Sequence, residues 1–545
     1  MKSLVLCCGL AALCPAATQN FDVVVYGGTA AGVIAAVSAA REGLRTALLE
    51  PGAHLGGMVS GGLGFTDYGK KEVIGGCALE FYRRVGRHYQ AGRYGNEVVW
   101  LHEPHVAEAI FREMLRDAGV TVFEHHRLRE KSAVRKDGAT LREVVTEDET
   151  AFAALVFIDS SYEGDVMAQS GVSHTFGREG TAQYGESLAG VRAQTPFHQF
   201  LVNISPTDEH GKLLPEILPD RPGLPGSADK RVQAYNFRLC FSEVAANQMP
   251  FPKPAHYDPA RYALLARLIQ AHSSAGRRVP PLGSFMKIDP LPNGKTDVNN
   301  NGAFSTDYLG GSWDYPDATY HRRDEIRQAH QNYIAGFLYF LAHDPQVPQP
   351  LRAEMNRWGL CADEFTDNGN WPYQLYIREA RRMIGEYVMT QKDVQTELTK
   401  PDPIGMGSYN SDSHNVERIV GPDGFVRNEG DMQVPVKPYQ IPYRVILPRR
   451  AEARNLLVMA AFSASHVAYS SLRMEPQYMI LGQAAGVAAK LTIDTGRAVQ
   501  EIATTALTDR LRKQGAVMEY RPSIHSEVLP LVRKRAESAA ASQLH

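Results

Sequence analysis

The sequence predicts an α/β protein in which a parallel-sheet lobe is interrupted by an inserted α+β lobe. Three observations carry that prediction. A β-α-β pattern opens the chain in "FDVVVYGGTAAGVIAAVSAAREGLRTALLE" (21–50), with a glycine turn between its first strand and its helix. A buried-type strand, "RNLLVMAAF", and a long helix of small residues, "EPQYMILGQAAGVAAKL", stand near the other end. Between about 186 and 400 the composition shifts towards Pro, Asn, Asp and aromatic residues. The chain thus builds one lobe, leaves it for a second, and returns.

Taken in order, residues 1–19 read as a secretory leader. An early Lys precedes an apolar run from Leu4 to Leu13 and then small residues, with cleavage expected between Ala16 and Gln19. The run is too short to span a bilayer, and no other stretch is apolar for long enough. A bulky Leu13 before Cys14 argues against a lipoprotein. Cys7, Cys8 and Cys14 go with the leader. Cys77, Cys240 and Cys361 remain, far apart and odd in number, so no disulfide framework is implied, and their spacing fits no metal. They read as small buried hydrophobes. The balance of 58 Lys+Arg against 60 Asp+Glu shows neither a nucleic-acid footprint nor a funnel for acidic substrates.

Residues 20–185 form the first part of the sheet lobe. Strands are expected in "FDVVVY", "TALLE", "GVTVFEHHRL" and "AALVFIDSS", and a helix over Glu103 to Ala118 with a Pro in its first turn. Residues 186–400 form the inserted lobe, with helices expected at about 257–272, 322–343 and 372–389. Residues 401–515 return to the first lobe, and 516–545 read as a polar tail.

The glycine turn carries the first chemistry. G-x-G-x-x-G needs a tight turn, close backbone approach to a pyrophosphate, and close helix–strand packing. Gly27 and Gly32 fill its outer places and Thr29 its middle one. The amides from Gly28 and Thr29 through Ala30 and Ala31 to Gly32 open a helix N-terminus, which favours an anion. The Thr29 hydroxyl is expected to donate to that phosphate. Glu50 ends the second strand, where a carboxylate holds a ribose hydroxyl. After Pro51, Gly56, Gly57 and Met58 suit a chain running beneath an extended FAD. "FIDSSYEGDVMAQSG" places Asp159 at a strand end and Gly164-Asp165 before a helix, a layout that brings an acid to the ribityl chain or pyrophosphate. No second glycine cluster lies between a strand and a helix, so no NAD(P)H-binding lobe is expected. The fold expected is a Rossmann-like FAD-binding domain of glutathione-reductase type with an inserted α+β substrate or cap domain.

These stretches, with "LGGMVSGGLG", "EPHVAEAIF", "FGREGTAQYGESLAG", "KTDVNNNGAFSTD", "LYIREARRMIGEYVMT", "GSYNSDSH" and "NLLVMAAFSASHVAYSSLRMEPQYMILGQAAGVAA", span nearly the whole chain after the leader. The chain resembles a bacterial family of secreted FAD-dependent oxidoreductases, some of whose members are loosely labelled xanthan-lyase-related. The resemblance implies the fold, FAD and redox chemistry. It also implies that a Thr in the glycine turn is ordinary. It does not fix a substrate.

The last helix needs its own argument. Pro476 suits its first turn, and Gly482, Ala485, Gly486 and Ala489 let it pack tightly, on the sheet as expected here. Gly482 is grouped with the cofactor-binding residues. In flavoproteins of this architecture such a helix aims its N-terminus at the flavin pyrimidine end, where its partial charge favours the anionic reduced ring. The same turn presents His466, Arg473 and Glu475. His466 is the first candidate acid/base and His414 the next; Arg473 supplies positive charge. Alternatively, Arg473 and Glu475 form a structural ion pair and His466 is a satisfied buried histidine. In the inserted lobe, Asp412 and His414 share one side of an extended segment. Arg378 and Arg382 share a helix face near Trp371, Tyr373 and Tyr376, as an anion- or sugar-binding wall or as paired core residues. Lys295, Asp297, Asn299 and Asn300 read as a hydroxyl-reading cluster or a surface turn. No metal is expected.

Three functions follow: an exported oxidoreductase passing hydride between FAD and a small polar, carbohydrate-like substrate; an FAD-containing lyase acting on a polysaccharide-derived substrate; and a carbohydrate-binding protein with a relict flavin domain. Intact FAD segments and an ionisable flavin-facing turn favour the first.

Overall fold

A computed structural model describes residues 18–95, 97–219, 223–274 and 279–522. The leader, except for its last two residues, lies outside them, as does the tail from 523.

The first lobe opens with strand β1 (Val23–Tyr26), helix α1 (Ala30–Arg41) and strand β2 (Thr46–Leu49). Every residue of both strands is buried, as apolar strands must be when a parallel sheet is covered on both faces. Helix α2 (Gly76–His88) and helix α3 (Pro104–Ala118) lead to strand β3 (Thr121–Phe123). Pro104 sits at the first turn of α3, as its fixed φ allows. A meander of β4 (Val134–Asp137), β5 (Thr140–Val145) and β6 (Ala151–Ala153) precedes β7 (Val156–Asp159) and the short helix α4 (Asp165–Gln169).

The chain then builds β8 (Phe241–Ser242), α5 (Ala263–Ser274), the antiparallel pair β9 (Met286–Pro290) and β10 (Thr296–Asn300), α6 (Tyr320–His343) and β11 (Gly359–Cys361). Thr319 caps α6 by accepting the Arg322 N–H at 3.2 Å. Strand β12 (Ser411–Ser413) follows, then β13 (Leu456–Val458), α7 (His466–Leu472) and α8 (Glu475–Thr495). β13 closes a five-stranded, wholly parallel sheet of order β13-β7-β1-β2-β3. The first and last parts of the chain therefore share one sheet. One continuous hydrophobic core runs from Val25 and Phe111 to Phe241, Phe337 and Met479. No helix among the described residues is long and apolar enough to cross a membrane.

Two expectations are corrected here. The small residues of α8 meet a helix before they meet the sheet: a β-carbon on Gly482 would lie 2.3 Å from Ala31 O, and one on Gly486 2.6 Å from the Ala39 nitrogen. Residues 372–389 form no helix. Their amides reach separate partners, Tyr376 N–H to Asn236 O, Met383 N–H to Ala461 O and Met389 N–H to Ser463 O. Arg378, Glu379 and Arg382 are all buried along the segment. Tertiary pairing overrides a helical pattern that is only a weak local preference.

Candidate active site

The glycine turn is built by contact distances. Gly27 has φ +93°, and a β-carbon on Gly32 would lie 1.9 Å from Gly27 O. Thr29 caps α1, its Oγ1 accepting the Gly32 N–H at 3.2 Å and donating to Ser160 O at 3.0 Å. The hydroxyl is thus committed inside the turn, which corrects the expectation that it donates to phosphate. The amides of Ala30 and Ala31 have no intrahelical acceptor and remain the anion-facing donors. Glu50 folds onto the same turn: Oε2 accepts the Gly28 N–H at 2.8 Å and Oε1 accepts the Gly52 N–H at 2.7 Å, just past Pro51. Burial pushes its carboxyl up to about 7.

Gly56, Gly57 and Met58 lie directly against the turn. Gly56 N–H donates to Gly28 O at 2.6 Å, and a β-carbon on Gly57 would lie 3.1 Å from Thr29 Cα. Met58 N–H donates to the Tyr162 hydroxyl at 2.9 Å, and that hydroxyl donates to Glu475 Oε1 at 2.9 Å.

Asp159 and Asp165 are turned inward. Asp159 accepts from Ser161 N–H, Ser161 Oγ and Met167 N–H, so it organises the β7–α4 turn below Gly164. Burial pushes it up to about 7. Asp165 is clamped by Arg323 at 2.8 Å and 3.1 Å and by Arg381 at 2.9 Å. Burial alone would raise it, but these arginines outweigh burial and hold it below the usual carboxylate range. Its expected role on the ribityl chain or pyrophosphate is corrected: Asp165 joins the lobes. Gly482, likewise, packs against the α1 backbone at Ala31 and Ala35.

At the start of α8 the predicted Arg473–Glu475 ion pair does not form. Arg473 donates from Nη2 to Asp412 O at 2.8 Å. Among the described residues the Glu475 side chain has only the Tyr162 contact, and burial pushes it up to about 8. Arg473 Nε, Glu475 Oε2 and both polar atoms of Gln477 are buried without a partner. Four such atoms at one helix N-terminus suit the polar edge of a ring system. Together with the glycine turn and Glu50 they fit FAD.

His466 is enclosed. Its Nδ1 lies 2.8 Å from Glu379 Oε2, and its N–H donates to Glu179 Oε2 at 2.9 Å. Arg382 pairs with both acids. Burial would raise Glu379, but His466 and Arg382 outweigh it and bring it down to about 2. Glu379 holds Nδ1, as the structural alternative expects, while Nε2 makes no hydrogen bond among the described residues, so His466 keeps the geometry of an acid/base candidate.

His414 has a like arrangement, and it stands next to the Arg473 contact at Asp412. Its Nδ1 lies 2.7 Å from Asp307 Oδ2, and Arg378 Nη2 stands 2.9 Å from Asp307 Oδ1. Burial and Arg378 push the imidazole down to about 4, against the pull of Asp307. Asp307 is held below its ordinary value: burial opposes this, and Arg378 and His414 overcome it. An ionised carboxylate only accepts, so Nδ1 carries the hydrogen and Nε2 offers a lone pair. The His198 ring lies parallel, with centroids 6.5 Å apart. Asp412, two residues before His414, receives the Arg473 contact, which brings the dyad beside the start of α8.

Around it stand the expected Arg378 and Tyr376 together with Arg238, Asp67, Tyr409 and Asp431, which the sequence did not single out. Arg238 lies 5.5 Å and Arg378 4.7 Å from the Tyr376 ring. Tyr409 donates to Asp67 at 3.2 Å. Asp431 is pushed up to about 8 by burial and Asp412. Asp297 is consumed by two 2.7 Å bonds from Arg238, and Lys295 by Glu103, Asp363 and Glu364. Asn299 accepts from Asn236 at 3.2 Å, while Asn300 lies in the β9–β10 ladder. Lys295 and Asp297 are therefore core pairs and not hydroxyl readers. Only the D-x-H spacing at 412–414 pointed to the dyad, and nothing local pointed to Asp307.

The family model described as FAD dependent oxidoreductase matches residues 22–511. No curated protein matches significantly. Among solved structures the chain is similar to OxyS anhydrotetracycline hydroxylase from Streptomyces rimosus, at 13% identity over 33% of this chain and 42% of that one, with a TM-score of 0.22. It is also similar to THI4 from Thermovibrio ammonificans, at 17% identity over 29% of this chain and 66% of that one, TM-score 0.21. A third is L-amino acid deaminase from Proteus vulgaris, at 15% identity over 26% of this chain and 54% of that one, TM-score 0.21. The chain spans less than two thirds of each.

Proposed function

We propose, because the chain belongs to the FAD dependent oxidoreductase family, that this FAD-dependent oxidoreductase acts on a small polar, carbohydrate-like substrate with His414 as its acid/base. FAD supplies two-electron hydride chemistry when bound. The amides of Ala30 and Ala31 and the carboxyl of Glu50 hold its phosphate and ribose ends. Arg473, buried and bonded to Asp412 O, provides a fixed positive charge at the start of α8. His414 accepts a substrate hydroxyl proton at Nε2 while Asp307 keeps Nδ1–H in place and favours the imidazolium that results. Arg238, Arg378, Asp67 and Tyr409 supply the polar surroundings that a hydroxyl-rich substrate needs. The Asp307–His414 dyad beside the α8 N-terminus is the observation that carries this reading. The leader-like residues 1–19 support work outside the cytoplasm.

The test is anaerobic: mix purified yellow protein with a panel of sugars, sugar acids and oligosaccharides and follow flavin bleaching. Bleaching by a panel member supports the reading. Turnover to a product with a new double bond and no net flavin reduction would move the assignment to a lyase.

A further inference from the structure

We propose that Cys240 and Cys361 form a disulfide inside the inserted lobe. Their sulfurs lie 3.0 Å apart, nearer than two non-bonded sulfurs normally pack. They occupy facing positions on antiparallel strands. Phe241 stands opposite Leu360 and Ser242 opposite Gly359, so the register carries on to Cys240 opposite Cys361. The Cys361 N–H donates to Cys240 O at 3.0 Å, which locks that register. Closing to a bond of about 2.05 Å asks for a shift of roughly 1 Å in two side chains, with no change of strand pairing. Both cysteines are shut in, 2% and 0% exposed, beside Phe365 and Tyr373. The one group of potential metal ligands among the described residues, Glu103, His105 and Glu364, contains no cysteine. Cys77 stands elsewhere, beside Arg41, which accounts for the odd thiol.

The bond forms by exchange with a low-molecular-mass disulfide, RSSR. One cysteine thiolate attacks RSSR, giving a mixed disulfide and one thiolate RS⁻. The second cysteine thiolate then attacks the protein sulfur and displaces the other RS⁻. The two cysteines lose two protons and two electrons, and RSSR becomes two RSH. Because the folded lobe seals both sulfurs, exchange precedes the pairing of β8 with β11. The finished bond is a staple closing a loop that holds α5, β9, β10 and α6. This proposal stands independently of the flavin reading.

The test unfolds the full chain in reductant and refolds it with FAD in a mixture of oxidised and reduced glutathione. A second sample is exported to an oxidising compartment and purified without refolding. Each is denatured without reductant, treated with iodoacetamide, and mapped by mass spectrometry. The expected result is labelled Cys77 and one linked peptide pair from Cys240 and Cys361, lighter by two hydrogens. Oxidised parent should melt roughly 5 °C or more above protein refolded in reduced glutathione alone. In Cys361→Ser, Cys240 should become fully labelled while flavin content stays at the parent level. Full labelling of Cys240 and Cys361 in both parent samples would overturn the proposal. So would a Cys240 that stays unlabelled in Cys361→Ser.

Discussion

Glu475 is the sharpest place to test the electrostatics of the flavin-facing turn. It is 4% exposed, its one side-chain polar contact among the described residues is the Tyr162 hydroxyl, and Arg473 turns away to Asp412 O. Burial therefore raises its carboxyl from the ordinary 4.5 to about 8. At roughly 1.4 kcal/mol for each tenfold change in proton affinity, that corresponds to about 5 kcal/mol. The sign follows from the direction. Between pH 4.5 and about 8 the folded chain keeps a proton that the unfolded chain has released. The contribution of this group to stability is thus fully present below pH 4.5 and is lost as pH rises to about 8. Glu475→Gln replaces the neutral acid by a neutral amide of the same shape and removes that titration. Thermal melts of flavin-free parent and variant at pH 5, 7 and 9 read the effect. The melting point of the variant, relative to the parent, should rise by roughly 4–5 °C across that range. The other raised acids, Glu50, Asp159, Asp431 and Glu417 among them, titrate equally in both proteins and cancel. A constant gap from pH 5 to 9 would falsify the reasoning and mean that Glu475 is ionised with a cationic partner. A neutral Glu475 matters for function because it leaves the positive charge of Arg473 uncancelled at the α8 N-terminus.

Other outcomes follow from the same geometry. Gly32→Val should yield folded protein with little bound flavin, since even its β-carbon meets Gly27 O at 1.9 Å; an unchanged flavin-to-protein absorbance ratio would reject this. Glu50→Ala should likewise lower flavin retention on dialysis, and a full yellow spectrum would count against the ribose role. His414→Gln should keep its flavin yet slow reduction by the panel substrate by about 10²–10⁴, the range for losing a general base; reduction at the parent rate places the base elsewhere. Arg323→Met removes the two-point contact from the buried Asp165 carboxylate and should destabilise the chain by roughly 3–5 kcal/mol, read as a lower melting temperature; Asp165→Asn in the same background should recover part of the loss.

What could be read along the chain was contiguous chemistry. The β-α-β unit, Gly27 and Gly32, Glu50, the Pro at the start of α3 and the small-residue helix α8 each declare themselves within a few residues. Turn geometry, helix starts and close backbone approach are local constraints on residue type. FAD and the parallel sheet followed from them. The rest depended on which distant residues meet. Asp307 and His414 are 107 positions apart, so no pattern shows that one fixes the tautomer of the other. His466 and Arg473 look alike in sequence, as ionisable residues beside one helix. The fold gives His466 an acid at 2.8 Å and leaves Arg473 Nε bare. The 372–389 segment has a helical pattern, but its amides are claimed by three other parts of the chain. Thr29 has a free-looking hydroxyl until Ser160 arrives from the neighbouring strand. In each case a buried polar group takes the nearest partner in space, and that distance is set by the packing of the two lobes and not by position along the chain.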